Sequence, residues 1–316
     1  MSMTHLDIFH GLVAAGMTMR YGSKPSKAAL LRVLWEKKHI IDADYIDYYL
    51  MAFWLFRYYA DSAGIGFWAW GAVPSSIVCY CLGLTEVDPI KYGLHSVRFV
   101  NDRLPIFQFD IEASRFDEFM KGAEEMLQAN AGDYDISAMK ACVLREYVKI
   151  GKRMRKTYLT PCEYLSRKHE RPVPENIDDE LARYALSFPQ TQPFSATYFS
   201  RKNGAAWSLT GVASLDEILA PTYGLLIYQE QMHDILKEFF DYSPIEGNKI
   251  RIAIHRGDTE LLAAYRADLH NHLKDHTPEE CDTAWAVLVC NPKAFLKAHV
   301  VSHVLAKYKF ETDPKW

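Results

Sequence analysis

Hydrophobic and polar positions divide the chain into helical stretches and one clear strand. From residue 25 to residue 63 the apolar residues recur every three or four positions, which predicts helices. Ser26 is placed to be the N-cap of the first helix, and Gly64 the C-cap of the last. The following GFWAWGAVPSS has the Gly, Pro and Ser content of a loop, and SSIVCYCLGLT predicts a short buried helix.

The segment LPIFQFDIEA alternates as a half-buried strand does. One face carries Ile106, Gln108, Asp110 and Glu112, and the other carries Phe107, Phe109 and Ile111. Helical periodicity returns from Ser114 to Gln128. Residues 149 to 171 are basic and show no regular pattern. From Ser214 on, the pattern predicts a strand, a long helix and further helices. These patterns predict an α+β fold that is helix-rich with a small mixed sheet.

Composition and charge narrow the class of protein. The 316 residues are 49% hydrophobic and 24% charged, which suits one large globular domain or two fused ones. The net charge of -4 means that any nucleic-acid affinity must come from a local basic surface. No apolar run reaches the roughly 18 residues that a membrane span needs. Six cysteines without CxxC spacing, and an opening stretch without a signal-peptide pattern, predict reduced thiols and a cytoplasmic protein.

Asp110 and Glu112 are the first candidates for chemistry. Residues two apart on a strand project from the same face, so both carboxylates can point toward one cation site. Two cations held in this way can bridge a transferring phosphoryl group and the attacking oxygen, and hard oxygen ligands suit Mg²⁺. The alternative is that this face is simply the solvent-exposed side of a strand whose other side is buried. The pattern alone favours this alternative, because sheets with one solvated face are common.

A basic run, KIGKRMRK, is the second candidate, with five Lys or Arg residues and no acid over 149 to 156. One interpretation is a surface that binds a nucleic-acid backbone, with an affinity that falls steeply as salt rises. The other is an ordinary solvated surface run. The candidate contacts are Lys149, Lys152, Arg153, Arg155 and Lys156.

Three separated stretches resemble one known family. They are CLGLTEVDPIKYGLHSVRFVND at 81 to 102, ILAPTYGLLIYQEQM at 218 to 232, and AFLKAHVVSHVLAKYKF at 294 to 310. Each is similar to a stretch of the bacterial DNA polymerase III alpha subunit, a C-family replicative polymerase, and they occur in the family's order. YLSRKHE at 164 to 170 is a further similar segment. Strings as long and unusual as TEVDPIKYGL make chance a poor explanation.

The resemblance implies a palm of the polymerase-beta-like nucleotidyltransferase type, in which three acidic residues hold the metal ions. Alignment places Asp110 at the first acidic position and Glu112, instead of the usual Asp, at the second. The extra methylene moves the carboxylate by on the order of 1 Å, which can cost about 100-fold in rate. GDYDISAMK offers Asp135 as the third ligand, and its other reading is an Asp in a turn before a helix.

The resemblance also implies helical fingers. Lys297 and His299 match the family's NKSH-like string, here LKAH, and are substrate-binding candidates. Lys297 is expected to contact the substrate's phosphates. Arg251 matches a family Arg and is a further substrate-binding candidate. The YQEQ segment that starts at Tyr228 is expected to pack and hydrogen-bond within the fingers.

The loop before the first similar stretch departs from the family. Family members carry a GRGSAAGS-like loop that contacts the nucleotide triphosphate, whereas this chain has WAWGAVPSS. Trp70 stands at or near the Arg position, and Pro74 lacks an N–H donor. Gly71 and Ser76 remain, and Ser76 stays a substrate-binding candidate. We therefore expect weak binding of anions by this loop.

We expect a palm-like domain without a thumb at 1–213, which includes the basic segment 149–171, and a fingers-like helical domain at 214–316. Relative to the family, we expect the N-terminal PHP domain and the regions that follow the fingers to be missing, so any activity should be minimal and distributive or should depend on a partner that supplies those parts. The favoured function is that of a reduced, degraded relative of the kind a phage or mobile element encodes, acting in DNA replication or binding, with DNA or a replication protein as partner. The alternative is an active minimal DNA-directed nucleotidyltransferase that uses two Mg²⁺ ions.

Overall fold

Two compact units make up the chain. The computed structural model describes residues 4–129, 142–150, 153–155, 177–269 and 275–312, with only the backbone for 127, 129, 142–150, 153–155 and 307–312. The first unit comprises residues 1–158 and 301–316, and the second comprises residues 159–300. The divisions therefore fall elsewhere than the predicted boundary after residue 213. No helix in the described ranges is both long and apolar enough to cross a membrane.

Three helices open the described part of the first unit. They are α1 (His5–Tyr21), α2 (Lys27–Asp42) and α3 (Ile46–Ala52), and α3 continues as a π-helix over Phe53–Ala60. Thr4 and Asp7 form a capping box at the start of α1. Ser26 caps α2 as predicted, because its hydroxyl accepts from the Ala29 N–H at 3.2 Å. Gly64, with φ of 67°, follows the helical run, as predicted.

A four-stranded mixed sheet lies in the first unit. Its strands, in spatial order, are β1 (Phe67–Ala69), β2 (Phe107–Glu112), β3 (Cys142–Ile150) and β4 (Arg153–Arg155). Strands β1 and β2 are antiparallel, β2 and β3 are parallel, and β3 and β4 are antiparallel. The small mixed sheet and the α+β class agree with the sequence prediction. The expectation of an irregular basic segment is wrong for residues 149, 150 and 153–155, which pair as strands.

The apolar face of β2 forms the core of the first unit. Phe107, Phe109 and Ile111 are fully buried. The ring of Phe109 stacks on Phe56 of the π-helix, with 3.7 Å between ring centroids. The helix α5 (Phe116–Ala129), which follows β2, adds the buried ring of Phe119 to this cluster. Aromatic stacking and burial together fix which side of β2 faces inward.

Helix α1 crosses the short helix α4 (Ile77–Cys81) at unusually close range. A Cβ atom placed on Gly16 would lie 2.0 Å from the carbonyl oxygen of Cys81. Glycine is therefore required at this crossing, because any side chain would push the two helices apart.

The second unit is helical. The helices in its described residues are α6 (Ile177–Ala185), α7 (Ser195–Lys202), α8 (Ala213–Leu219), α9 (Gln229–Phe240), α10 (Pro244–Arg256), α11 (Thr259–Asp268), α12 (Pro278–Cys290) and the start of α13 (Lys297–Thr312). Leu215, Ile235, Phe239, Ile250 and Leu288 are fully buried in its core. The predicted strand after Ser214 is wrong, because the described residues there form α8 and then a single parallel bridge between Tyr228 and Phe295.

Candidate functional site

Strand β2 carries both predicted metal ligands on its polar face. Gln108 and Glu112 on that face are partly exposed, while the three apolar residues between and beside them are buried, so the predicted alternation holds. Asp110 is the exception on the polar face, since only 2% of its surface is exposed.

A tryptophan stands next to Asp110. Trp68 of β1 lies directly opposite Asp110 in the antiparallel register, so both side chains project from the same face. Trp68 is buried, and its indole N–H donates to the Ser302 hydroxyl of α13 at 2.9 Å. That hydroxyl donates in turn to the carbonyl oxygen of Ala69 at 2.5 Å. The buried indole therefore lies on the sheet face that also carries Asp110.

Glu112 makes short-range hydrogen bonds at the end of β2. The Ser114 hydroxyl donates to its Oε1 at 2.8 Å, and the Gly66 N–H approaches its Oε2 at 3.4 Å. With Asp110 buried, these contacts fit a hydrogen-bonded strand end better than an open pair of cation ligands. The third candidate, Asp135, lies outside the described residues. Where the structure describes the chain, no group of three or more His, Cys, Asp or Glu side chains is arranged to hold a metal ion.

A buried carboxylate that no sequence pattern marks holds the loop WAWGAVPSS (residues 68–76), called the altered loop below. Glu36 of α2 is fully buried and accepts from the N–H groups of Ile77 and Val78 at 3.2 and 3.1 Å. Arg32, one turn earlier, donates to Glu36 at 2.8 Å and to the carbonyl oxygen of Ser75 at 2.9 Å. The first N–H groups of α4 are therefore already bound to an anion of the protein itself.

Ser76, predicted to bind substrate, lies in the interior of the first unit. It is fully buried, and its hydroxyl donates to Glu36 at 2.7 Å and accepts from the Cys79 N–H at 3.1 Å. In this arrangement the side chain is the N-cap of α4 and a further link to Glu36. Its role in substrate binding stays a prediction.

The loop between β1 and α4 packs on the sheet. Gly71 has φ of 67°, and a Cβ atom placed there would lie 1.7 Å from Gln108 Oε1. The Trp70 N–H donates to the carbonyl oxygen of Gln108 at 3.0 Å. Pro74 is buried in a 3₁₀ turn. These contacts hold the loop against β2 rather than leaving its backbone open to a phosphate group.

In the second unit, the YQEQ segment joins α9 to the start of α13. Glu230 is 3% exposed and accepts from the N–H groups of Lys297 and Ala298 at 2.9 and 3.3 Å. The Gln229 N–H donates to the carbonyl oxygen of Phe295 at 2.8 Å. The hydrogen bonds agree with the predicted packing role of this segment.

Lys297 begins α13, and its side chain lies over an aromatic ring. Its Nζ atom is 5.7 Å from the ring centre of Tyr228, near the outer limit of a cation–π contact. Burial, with a smaller contribution from Tyr198, raises the pKa of Tyr228 well above its usual value, so the phenol stays protonated at neutral pH.

Arg251, the third substrate-binding candidate of the fingers, lies inside the second unit. It is 6% exposed, and its Nε–H donates to Asn248 Oδ1 at 3.1 Å. A buried guanidinium is costly unless it is hydrogen-bonded, and this contact belongs to the packing of α10. Its predicted contact with substrate stays a prediction.

A pocket of about 390 Å³ opens beside His299 in the second unit. Its polar lining comprises Gln190, Gln229, His255, Lys293 and His299. The Lys293 ammonium donates to the carbonyl oxygen of His255 at 2.8 Å, which joins the end of α10 to the loop before α13. The described residues that line the pocket include no Asp or Glu, so its side chains are neutral or positive. Such a pocket suits an anion such as phosphate.

The sequence identified one member of this pocket as a binding residue, His299. Lys293 and Gln190 lie in connecting segments, and 38 residues separate His255 from Lys293. No spacing rule relates residues that far apart, so only the fold brings them together.

The basic segment is described for its backbone alone. Lys149 lies in β3 and pairs in register with Met154, while Arg153 and Arg155 lie in β4. Lys152 and Lys156 lie outside the described residues. The predicted nucleic-acid contacts of this segment stay predictions.

Two family models match the chain. The model described as the bacterial DNA polymerase III alpha NTPase domain matches residues 7–135. The model described as the bacterial DNA polymerase III alpha subunit finger domain matches residues 166–277. The matches include both β2 and the YQEQ segment, and they occur in the order that the quoted stretches predict.

Several curated proteins are similar over part of the chain. An error-prone DNA polymerase of Anaeromyxobacter sp. (strain K) is 28% identical over 123 residues, which is 38% of this chain and 11% of that protein. Error-prone DNA polymerase 1 of Rhizobium meliloti is 33% identical over 121 residues, 37% of this chain and 11% of that protein. The DNA polymerase III subunit alpha of Helicobacter pylori is 25% identical over 146 residues, 45% of this chain and 12% of that protein. The chain thus matches only a small part of the length of these relatives.

Proposed function

The chain belongs to the bacterial DNA polymerase III alpha family, and from that premise we propose that it is a non-catalytic member that binds DNA. The observation that carries the proposal is the position of Asp110, which is 2% exposed and faces the same side of the sheet as the buried indole of Trp68. A binding role in DNA replication keeps the scaffold and does not need open metal ligands.

The proposed loss of catalysis is argued from the requirements of phosphoryl transfer by two metal ions. The cations have to reach both carboxylates and leave room for the attacking and leaving oxygens. Here the indole of Trp68 is fixed by Ser302, and Glu112 already accepts hydrogen bonds at the strand end. Electrostatic stabilisation of the transferring phosphate is usually the largest catalytic contribution, and the N–H groups at the start of α4 are bound to Glu36.

Binding of DNA is supported by the pocket of the second unit. His255, Lys293 and His299 line it without a described acidic side chain, which suits a backbone phosphate. The basic run at 149–156 would add contacts to the backbone. We further propose a cytoplasmic location and a replication protein as a second partner, as the family membership suggests.

A second candidate is an active minimal DNA-directed nucleotidyltransferase with a polymerase-beta-like palm. The observation that favours it is that Asp110 and Glu112 share one face of β2. In this candidate Asp110, Glu112 and Asp135 would hold two Mg²⁺ ions. The nucleotide would be contacted by Ser76, Arg251, Lys297 and His299.

A primer-extension assay separates the two candidates. The full chain is incubated with a labelled primer-template and all four deoxynucleotides, with Mg²⁺ or with Mn²⁺, beside the Asp110→Asn variant. We expect no extension by either protein. Extension by the wild type that disappears in Asp110→Asn would refute the non-catalytic proposal and establish the alternative.

DNA binding is measured on the same preparations, so that inactive and misfolded protein are distinguished. Fluorescence anisotropy with the labelled primer-template, over a series of salt concentrations, should give a dissociation constant that rises steeply with salt. Lys293→Gln should weaken binding and make the salt slope shallower by about one. Lys237→Gln, an exposed lysine of α9 outside the pocket, is the matched control and should change neither. Absence of salt-dependent binding would refute the DNA-binding role.

A further inference from the structure

An apolar groove runs between α1 and α2 in the first unit. It encloses about 230 Å³, and Val13 and Met17 of α1 face Leu30, Val33 and Leu34 of α2 across it. Leu30 is 43% exposed and Leu34 is 61% exposed. Five of the eleven exposed large apolar side chains in the described part of the chain lie on these two helices.

The exposed leucines of α2 form one strip. Leu31 is 59% exposed, and it lies one residue after Leu30 and three before Leu34. Residues three and four apart are neighbours on a helix surface, so the three side chains are contiguous. A contiguous exposed apolar patch is typical of a surface that binds another protein.

Lysines surround the strip. Lys37 lines the groove, Lys27 lies one turn before Leu31, and Lys24 lies in the segment before α2. None of these lysines forms an ion pair with a carboxylate of the described residues, and the described lining of the groove includes no Asp or Glu. The groove is thus locally basic in a chain of net charge -4.

The surroundings of Lys37 support this view of the charge. Burial lowers the pKa of the Lys37 ammonium, and no carboxylate of the described residues offsets that effect. Burial and the charge of Lys37 lower the pKa of His10, while the carboxylate of Asp7 in the first turn of α1 partly offsets this, so His10 lies near Lys37.

We propose that the α1–α2 groove docks an amphipathic helix of a partner protein, with leucine-like side chains flanked by Asp or Glu. The strip from Lys27 to Lys37 is about 15 Å long at 1.5 Å per residue, which corresponds to three turns of a partner helix. Apolar side chains of the partner would fill the groove, and its carboxylates would pair with the lysines at both ends. A symmetric contact with a second copy is disfavoured, because it would bring equal charges together.

The test uses a designed peptide and the full chain. A fluorescein-labelled helical peptide of about four turns carries Leu along one face and Glu on both flanks. Two further peptides serve as comparisons: a scrambled one of the same composition, and one with Lys in place of each Glu. Fluorescence anisotropy should give a dissociation constant of about 10 μM for the acidic amphipathic peptide and much weaker binding for the other two.

Variants assign the binding to the groove. Leu34→Glu and Lys37→Glu should each weaken binding of the acidic peptide by about tenfold or more, a change of about 1.4 kcal/mol. Leu104→Glu and Lys121→Glu are the matched controls on exposed residues of the first unit away from the groove, and they should leave binding unchanged. Circular dichroism should show all four variants folded, since Leu34, Leu104 and Lys121 are exposed and Lys37 is only half-buried.

Several outcomes would overturn the proposal. These are equal binding of the three peptides, equal losses in the groove variants and their controls, or no binding of the acidic peptide. Sedimentation of the full chain provides a separate check. A dimer that Leu34→Glu dissociates would assign the groove to a second copy instead of a partner protein.

Discussion

Replacing the buried carboxylate of Glu36 by an amide tests the contact that holds the altered loop to α2. In Glu36→Gln the side chain keeps its size, but it loses its charge and one of its two acceptor oxygens. The amide NH₂ group would then face donors, namely the Ser76 hydroxyl and the N–H groups at the start of α4.

The magnitude follows from the number of donors that Glu36 serves. Arg32, Ser76, Ile77 and Val78 all donate to it. A hydrogen bond to a charged group contributes about 1.5–3 kcal/mol, and breaking a buried ion pair from one side costs about 3–5 kcal/mol. Because the amide oxygen can still accept, we expect Glu36→Gln to lower the free energy of unfolding by about 3 kcal/mol. That is a large part of the 5–15 kcal/mol that is usual for the stability of a protein.

The assay combines urea denaturation of the full chain with hydrogen exchange. Glu36→Gln should lower the urea midpoint and speed exchange of the peptide that contains Ile77 and Val78. Glu125→Gln is the matched control, because Glu125 is 67% exposed and pairs with Lys121 at 3.8 Å on the surface of α5. If Glu36→Gln resembles Glu125→Gln in both measurements, the carboxylate does not hold the loop and our reasoning fails.

Three further predictions concern the first unit. Gly16→Ala should lower the free energy of unfolding by about 1–3 kcal/mol, because its Cβ atom would collide with the backbone of Cys81. Gly11→Ala in the same helix is the control: its Cβ atom would meet no atom within 4 Å, so the free energy of unfolding should rise by up to about 1 kcal/mol, and urea midpoints measure both changes. Burial raises the pKa of Cys81 from 9.0 to about 12, so the contribution of this thiol to stability should be constant below pH 9 and fall between pH 9 and 12. Cys81→Ala should make the dependence of unfolding free energy on pH less steep in that range, and an unchanged slope would contradict the prediction. Trp68→Phe and Ser302→Ala should each cost about 1 kcal/mol, and the double variant less than the sum of both; strict additivity would mean that the two side chains are not coupled.

Local rules predicted the parts of the fold that local physics determines. The alternation around Asp110 identified β2, and Ser26 and Gly64 marked helix limits correctly, because capping and pleating depend on neighbouring residues. Helix α1 was not predicted, although Thr4 and Asp7 form a capping box at its start. That signal lies in the sequence and could have been used.

Other features depend on residues that are far apart in the sequence. Glu36 caps a helix that begins about 40 residues later, and no spacing rule predicts such a contact. The burial of Asp110 was equally hidden, because a carboxylate on a polar strand face normally points to solvent. The register also sets the buried Trp68 opposite Asp110, and no local pattern predicts that pairing. The pocket around Lys293 could not be predicted for the same reason, because its residues come from helices and loops that are far apart in the sequence.

The bond between Trp68 and Ser302 joins positions 234 residues apart and has a consequence for how the protein matures. A ribosome adds about 5–20 residues per second, so the indole emerges on the order of ten to fifty seconds before its serine is made. During that interval the nascent sheet has an uncovered edge, which is the period when a chaperone would be needed. Shortening the chain before α13 should therefore produce a species prone to aggregation rather than a smaller native unit.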